Sequence, residues 1–292
     1  MSELACPGAQ PAAEVAEILD TAGISYLSFG WLPVALLALD LKYGEVEIVV
    51  RDRDLVAARE ELVNNGFRLC EKPDCRELLD NRSPPLQDSQ RGVPFEDQVF
   101  TVAEFIAFRA RNKYHLIAAA HFHLETQYDN CTVLSLYKKS SILRWIPVLE
   151  DDPRNDEAGL IWRSDDDARL PPARVDGPSG PWTGLHAVRF LNPASFCEAL
   201  LLLSCRDYCH IRAREFSWRG MWETLIENQV RLNRPLRPDL KLIWDAAEAY
   251  FIHNDRSKAP APLMSRIRRQ LIANGVIVPA EIPEVVEWWM HQ

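Results

Sequence analysis

No Cys-x-x-Cys pair occurs in this sequence, and its cysteines, seven of them, are odd in number. A disulfide framework or a ribbon-type zinc site is not what holds the chain together. Nor does any apolar run approach the roughly 20 residues that a bilayer crossing needs; the longest, "EALLLLSC", covers residues 198–205. No membrane association is expected. The opening "MSELACPGAQPAAEV" has neither the basic stretch nor the apolar stretch of an export leader, so a reducing, cytoplasmic location is expected. Positive charge is also short overall, with 33 Lys and Arg against 42 Asp and Glu, which excludes a surface built to coat nucleic acid generically. No internal repeat is present.

What the chain has is apolar material: 47% of 292 residues, enough for a sizeable core. Its periodicity divides the chain. "PAAEVAEILDTAG" (11–23) reads as a helix ended by Gly23, "ISYLSFG" as a strand running into a glycine turn, and Leu32–Leu41 as a short buried helix. "EVEIVV" follows as a strand, then a helix from Asp52 to Asn65, then "FRLCE" as a strand. Residues 72–94 are rich in Pro, Asp, Ser and Gly and read as loop. Strand character resumes in "YHLIAAAHFHLE" (114–125) and "CTVLSLYKKSSILRWIP" (131–147). An acidic, Pro- and Gly-rich passage separates these from spans of helical periodicity at 193–209, 216–232, 238–253, 262–274 and 283–290. The expected organisation is an α/β domain over 1–149 with a mixed sheet, a linker or surface excursion over 150–184, and an α-helical domain over 185–292.

Charge is unevenly spread. Between Arg206 and Arg269 there are 13 Lys and Arg against 8 Asp and Glu, a local excess of +5 within an overall −9. Arginines interleave with aromatics in "HIRAREFSWRGMWETL" and recur in "SRIRRQ". Arg212, Arg214, Arg219, Arg266, Arg268 and Arg269 could follow a phosphate backbone, where charge supplies most of the affinity; solvated helix faces are the plainer reading.

The chemistry-bearing stretch is "FGW" followed by "EVEIVV". Side chains alternate along a strand, so Glu45 and Glu47 leave on one face about 7 Å apart. Three readings stand: a metal-binding pair, a pocket turned to another use, or a solvent-facing edge. "HFH" likewise puts His121 and His123 on one face, where Glu125 could join them on a metal, or where they could simply be polar surface. "CRDYCH" places Cys205, Cys209 and His210 at helical spacing, better read as a buried cysteine face. In "LYKKSSIL", Lys138 or Lys139 beside Ser140 and Ser141 could hold a phosphate or activate a serine nucleophile; a strand end with a capped helix is the alternative.

Phe29-Gly30-Trp31, thirteen intervening residues and Glu45-Val46-Glu47-Ile48 resemble the signature of the nucleotidyltransferase fold. In that fold a small residue after the glycine admits a triphosphate, and two or three carboxylates hold Mg²⁺. Here Trp31 would crowd that approach, and a third carboxylate would fall to Glu125 or the place of His123. "VLSLYKKSSILRWIP", "RLPPARVDGPSGPW" and "FCEALLLLSCRD", with the "FGW…EVEIVV" start, resemble a fungal group similar to the arginine-containing cyclodipeptide synthases. This chain departs from them in lacking a DDxxE-type acidic motif.

That resemblance implies a degenerate nucleotidyltransferase-like N-terminal half. It implies a transferase that joins arginine and a second amino acid from aminoacyl-tRNAs into a diketopiperazine for secondary metabolism, with arginyl-tRNA as one partner. Glu45, Glu47, Ser140 and Ser141 would then be catalytic, and Gly30, Trp31, His123, Glu125 and Lys138 would contact substrate. The basic helices would bind tRNA, with neither cofactor nor metal required. Mg²⁺-dependent nucleotidyl transfer to a small molecule or RNA, and a non-catalytic binding protein, are the alternatives.

Overall fold

The structure, a computed structural model, describes residues 8–38, 45–71, 118–124, 127–128, 133–147, 149, 159–172, 180–207 and 214–278. The first helix, α1 (Ala9–Thr21), leads into β1 (Tyr26–Ser28), and α2 (Trp31–Leu37) starts directly after Gly30. At this turn Gly30 has φ of +76°, a left-handed conformation that side-chain-bearing residues adopt only at a cost. β2 (Glu45–Val50) comes next, then a 3₁₀ turn at Asp52–Asp54 and α3 (Leu55–Asn64).

Two more strands, β3 (Ala120–His123) and β4 (Val133–Lys138), complete one side of the sheet. After the short α4 (Lys139–Ile142), β5 (Ile161–Arg163) and β6 (Arg189–Leu191) join its other side. The result is one six-stranded mixed sheet in the order β3-β4-β2-β1-β6-β5. β4 runs parallel to β2 and β6 parallel to β1; the other pairs are antiparallel. β5 and β6 carry the sheet past residue 149, where composition alone placed a boundary.

From Pro193 onward the described chain is helical, in α5 (Pro193–Asp207), α6 (Arg214–Glu227), α7 (Pro238–Phe251) and α8 (Pro260–Ala273). Proline opens three of them, where its missing N–H would have no intrahelical partner anyway. α5 has Asn192 before Pro193, and the Asn192 side-chain Oδ1 accepts the Ser195 amide at 2.9 Å, an N-cap contact.

α5 is buried round its whole circumference, Arg206 alone being half-buried. A helix in that position has to satisfy its polar side chains internally. The Trp222 indole donates to Ser204 at 3.1 Å, and the Trp218 indole donates to Asp207 at 2.8 Å. Arg234 grips both oxygens of Glu198 at 2.8 Å. Phe29, at the end of β1, packs edge-on against Phe196 of α5 and Trp218 of α6, tying the sheet to the helices. Among the described residues, no helix is long and apolar enough to cross a membrane.

α2 packs on α6 as well as on β2. A Cβ placed on Gly220 of α6 would lie 3.8 Å from the Trp31 ring, an ordinary van der Waals separation. The glycine is therefore not required for space. Gly220→Ala is expected to raise stability by about 0.5–1 kcal/mol through helix propensity, read as a higher urea midpoint; a lower midpoint would mean that Trp31 needs more room.

Candidate functional site: the polar face of the central strands

Pairing register turns the alternation of three strands into rows across the sheet. On one face Val46, Leu134 and Phe122 form a row, with Ile48, Leu136 and Ala120 beside it. That face is apolar core. On the other, Glu47, Ser135 and His121 share a row, and Glu45, Val133 and His123 the next. Five polar side chains that are far apart in the chain thus face the same way.

β2 is not an edge. It is hydrogen-bonded to β4 on one flank and β1 on the other, and Glu45 and Glu47 are only 7% and 4% exposed. The solvent-facing reading of these two carboxylates is corrected by that position. A buried carboxylate is costly unless a cation, a proton or several donors meet it. The Phe29 amide donates to the Glu47 carbonyl at 2.9 Å, which sets the Gly30 turn and the start of α2 beside the second glutamate.

His121 is fully buried and His123 half-buried, their rings 5.3 Å apart. Cys70 reaches the same face. Its neighbour Leu69 bridges to Phe122, and the Cys70 amide donates to the His121 carbonyl at 3.0 Å. Sequence reading missed Cys70 and Ser135. Ser135 is the one hydroxyl inside "VLSLY", a signal of sorts; "FRLC" was legible as an extended segment, but not as one that docks on β3.

Ser140 and Ser141 are not brought to this face. The remainder of β4 after Ser135, about 10 Å, and the first turn of α4 lie between. The exposed Ser140 hydroxyl donates to Asp52 at 2.5 Å, and its amide donates to the same carboxylate at 3.0 Å. Burial works to raise the Asp52 carboxyl, but the hydroxyl, the amide and the nearby Lys138 charge outweigh it and hold the group below its ordinary value. Asp52 thus contributes stability that is complete above the ordinary carboxylate value and is lost as pH falls through the lowered one.

Ser140→Ala is accordingly expected to cost about 0.5–1 kcal/mol at neutral pH and to flatten the acid limb of the stability profile. An unchanged acid limb would contradict the cap. Ser141 gives its backbone carbonyl to Arg206 at 2.6 Å, and Lys138 is exposed at the end of β4.

Of the basic residues, Arg219 pairs with Glu223 on its own helix. Arg266 and Arg269 are exposed on α8, and Arg268 is half-buried. Arg214 opens α6. Arg212, Glu125, Cys209 and His210 lie outside the described residues. Cys205 is buried in α5, on the face expected of it. Compared with protein-family models, with curated proteins and with solved structures, the chain matches none.

Proposed function

We propose that the protein is a tRNA-dependent cyclodipeptide synthase on a nucleotidyltransferase-type scaffold, joining arginine to a second amino acid. The observation that carries this reading is the buried Glu45 and Glu47 pair on a central strand, with a serine in register on the neighbouring strand. Ser135 is the β4 partner of Glu47. Two carboxylates on one strand face can take a guanidinium by paired hydrogen bonds, whereas a hard cation asks for a fuller oxygen cage. Trp31 supports the same choice, because an indole stands directly after Gly30 where triphosphate chemistry asks for a small side chain.

The reaction needs little beyond positioning. An aminoacyl ester is already activated, so the amine of one residue attacks the ester carbonyl of the other, a C–N bond forms, and the tRNA ribose hydroxyl leaves with the proton. Repeating this at the second ester closes the diketopiperazine and releases the second tRNA. Neither step uses a nucleoside triphosphate. Glu45 and Glu47 hold the arginine side chain or accept the proton of the attacking amine. Direct aminolysis needs no covalent carrier, so Ser140 stays a capping residue. Exposed Arg266 and Arg269 offer charge to the acceptor stem.

Heterologous expression followed by mass spectrometry of the medium tests this reading. A cyclic dipeptide containing arginine is expected with the intact chain. Its absence while the protein is folded would count against the proposal, and triphosphate-dependent labelling of a small molecule or RNA would favour nucleotidyl transfer instead.

A further inference from the structure

We propose that Cys70, His121 and His123 form a binding site for a divalent transition metal, fitted best to Zn²⁺. The site stands independently of the reading given to Glu45 and Glu47. One ligand atom from each of the three residues lies within 4.8 Å of the other two. Tetrahedral zinc with bonds of about 2.0–2.3 Å separates its ligand atoms by roughly 3.3–3.8 Å, so a contraction of about 1 Å would close the set. Rotation of Cys70 and His123, both half-buried, can supply it, while the buried His121 stays fixed on β3.

The three residues meet for reasons that lie in the backbone. Alternation along β3 puts both histidines on one face, with Phe122 on the other. The Leu69 to Phe122 bridge and the Cys70 amide bond to His121 dock the segment after α3 against β3. Phe67 meets Phe122 edge-on on the apolar side, its ring centre 6.3 Å away, and anchors that segment in the core. Leu69 therefore follows Phe122 inward, and Cys70 is left on the histidine side.

The donor set names the metal class. One thiolate and two imidazoles are too soft for Mg²⁺ or Ca²⁺, which take oxygen, and suit Zn²⁺ or its spectroscopic substitute Co²⁺. Three protein ligands are the number found in zinc sites that keep a position for water or substrate. Ser135 sits beside His121 in register and Glu47 one strand further, so a ligand on such a metal would face the carboxylate row. His123 then serves as a metal ligand rather than a substrate contact.

Full-length protein stripped with chelator and titrated with Zn²⁺ and with Co²⁺ tests the site. One equivalent is expected to bind, undisturbed by excess Mg²⁺, and Co²⁺ should give a thiolate-to-metal charge-transfer band with the strong visible absorption of tetrahedral cobalt. Cys70→Ser should abolish the charge-transfer band, and His123→Asn should keep it. Each should weaken Zn²⁺ binding by on the order of 100-fold. Far-ultraviolet circular dichroism checks that both variants fold, and because each is half-buried, one can fail without removing the other as a test. No stoichiometric binding, or wild-type affinity in both folded variants, would overturn the proposal; the latter would place the metal on other cysteines.

Discussion

Asp207→Asn is expected to destabilise the protein by about 3–5 kcal/mol, a large share of what holds a domain folded. Asp207 is fully buried at the C-terminal end of α5. Arg206 donates to it through two nitrogens, at 2.8 and 2.9 Å, and the Trp218 indole adds a third bond at 2.8 Å. The same guanidinium reaches the Ser141 carbonyl at 2.6 Å, so this one carboxylate joins α5, α6 and the segment after β4. An amide in its place leaves the Arg206 charge with little water and no counter-charge. The urea midpoint reads the effect. Arg219→Ala, which breaks a pair within one helix, should move it by under about 1 kcal/mol. Equal shifts in the two variants would mean that Asp207 is not the junction described.

Glu47→Gln is expected to cut diketopiperazine formation by about 100-fold or more, the scale on which a positioned proton acceptor or charge partner acts. The substitution keeps size and shape, removes the charge and exchanges one acceptor oxygen for an NH₂ donor. On the reading that its charge serves the substrate and not the fold, the folded state should survive the exchange at this 4% exposed position. The thermal midpoint and the turnover therefore separate: activity falls while stability holds. If both fall together, Glu47 is holding the fold, and a cation bound there is part of the structure rather than a substrate.

Much of this was legible locally. "EVEIVV" spans the very strand that forms, Glu45–Val50, and its alternation already put both glutamates on one face. Glycine marked the end of the N-terminal helix, and proline the helices opening at Pro193, Pro238 and Pro260, to within a few residues; the helix expected over 283–290 lies outside the described residues. The rest depended on contacts that no local pattern carries. Burial of Glu45 and Glu47 comes from β2 being central, which follows from pairing with residues 133–138 and 26–28. Strand character was read through residue 147, with a strand end and capped helix as the alternative; the alternative forms, but its cap, Asp52 from another strand's end, is one that no local pattern names. "FRLCE" makes a single bridge rather than a strand, and that bridge is what delivers Cys70 to the histidines. β5, three residues inside an acidic and proline-rich passage, is too short for a period to emerge.

The indole of Trp31 was expected to crowd a phosphate turn. Its ring lies against Gly220, 189 positions further along the chain, so α6 takes part in fixing it beside the turn. On the proposed function, a turn closed to a triphosphate beside two buried carboxylates is what would separate aminoacyl transfer from nucleotidyl transfer on this sheet.

The most direct measurement supplies purified protein with arginyl-tRNA and a second pre-charged tRNA, in buffer without any nucleoside triphosphate, and follows release of the cyclic dipeptide. The account predicts product from the wild-type chain and its near-complete loss in Glu47→Gln at equal tRNA binding. No product from folded protein across the set of aminoacyl-tRNAs, together with transfer from a labelled triphosphate that Glu47→Gln abolishes, would contradict it.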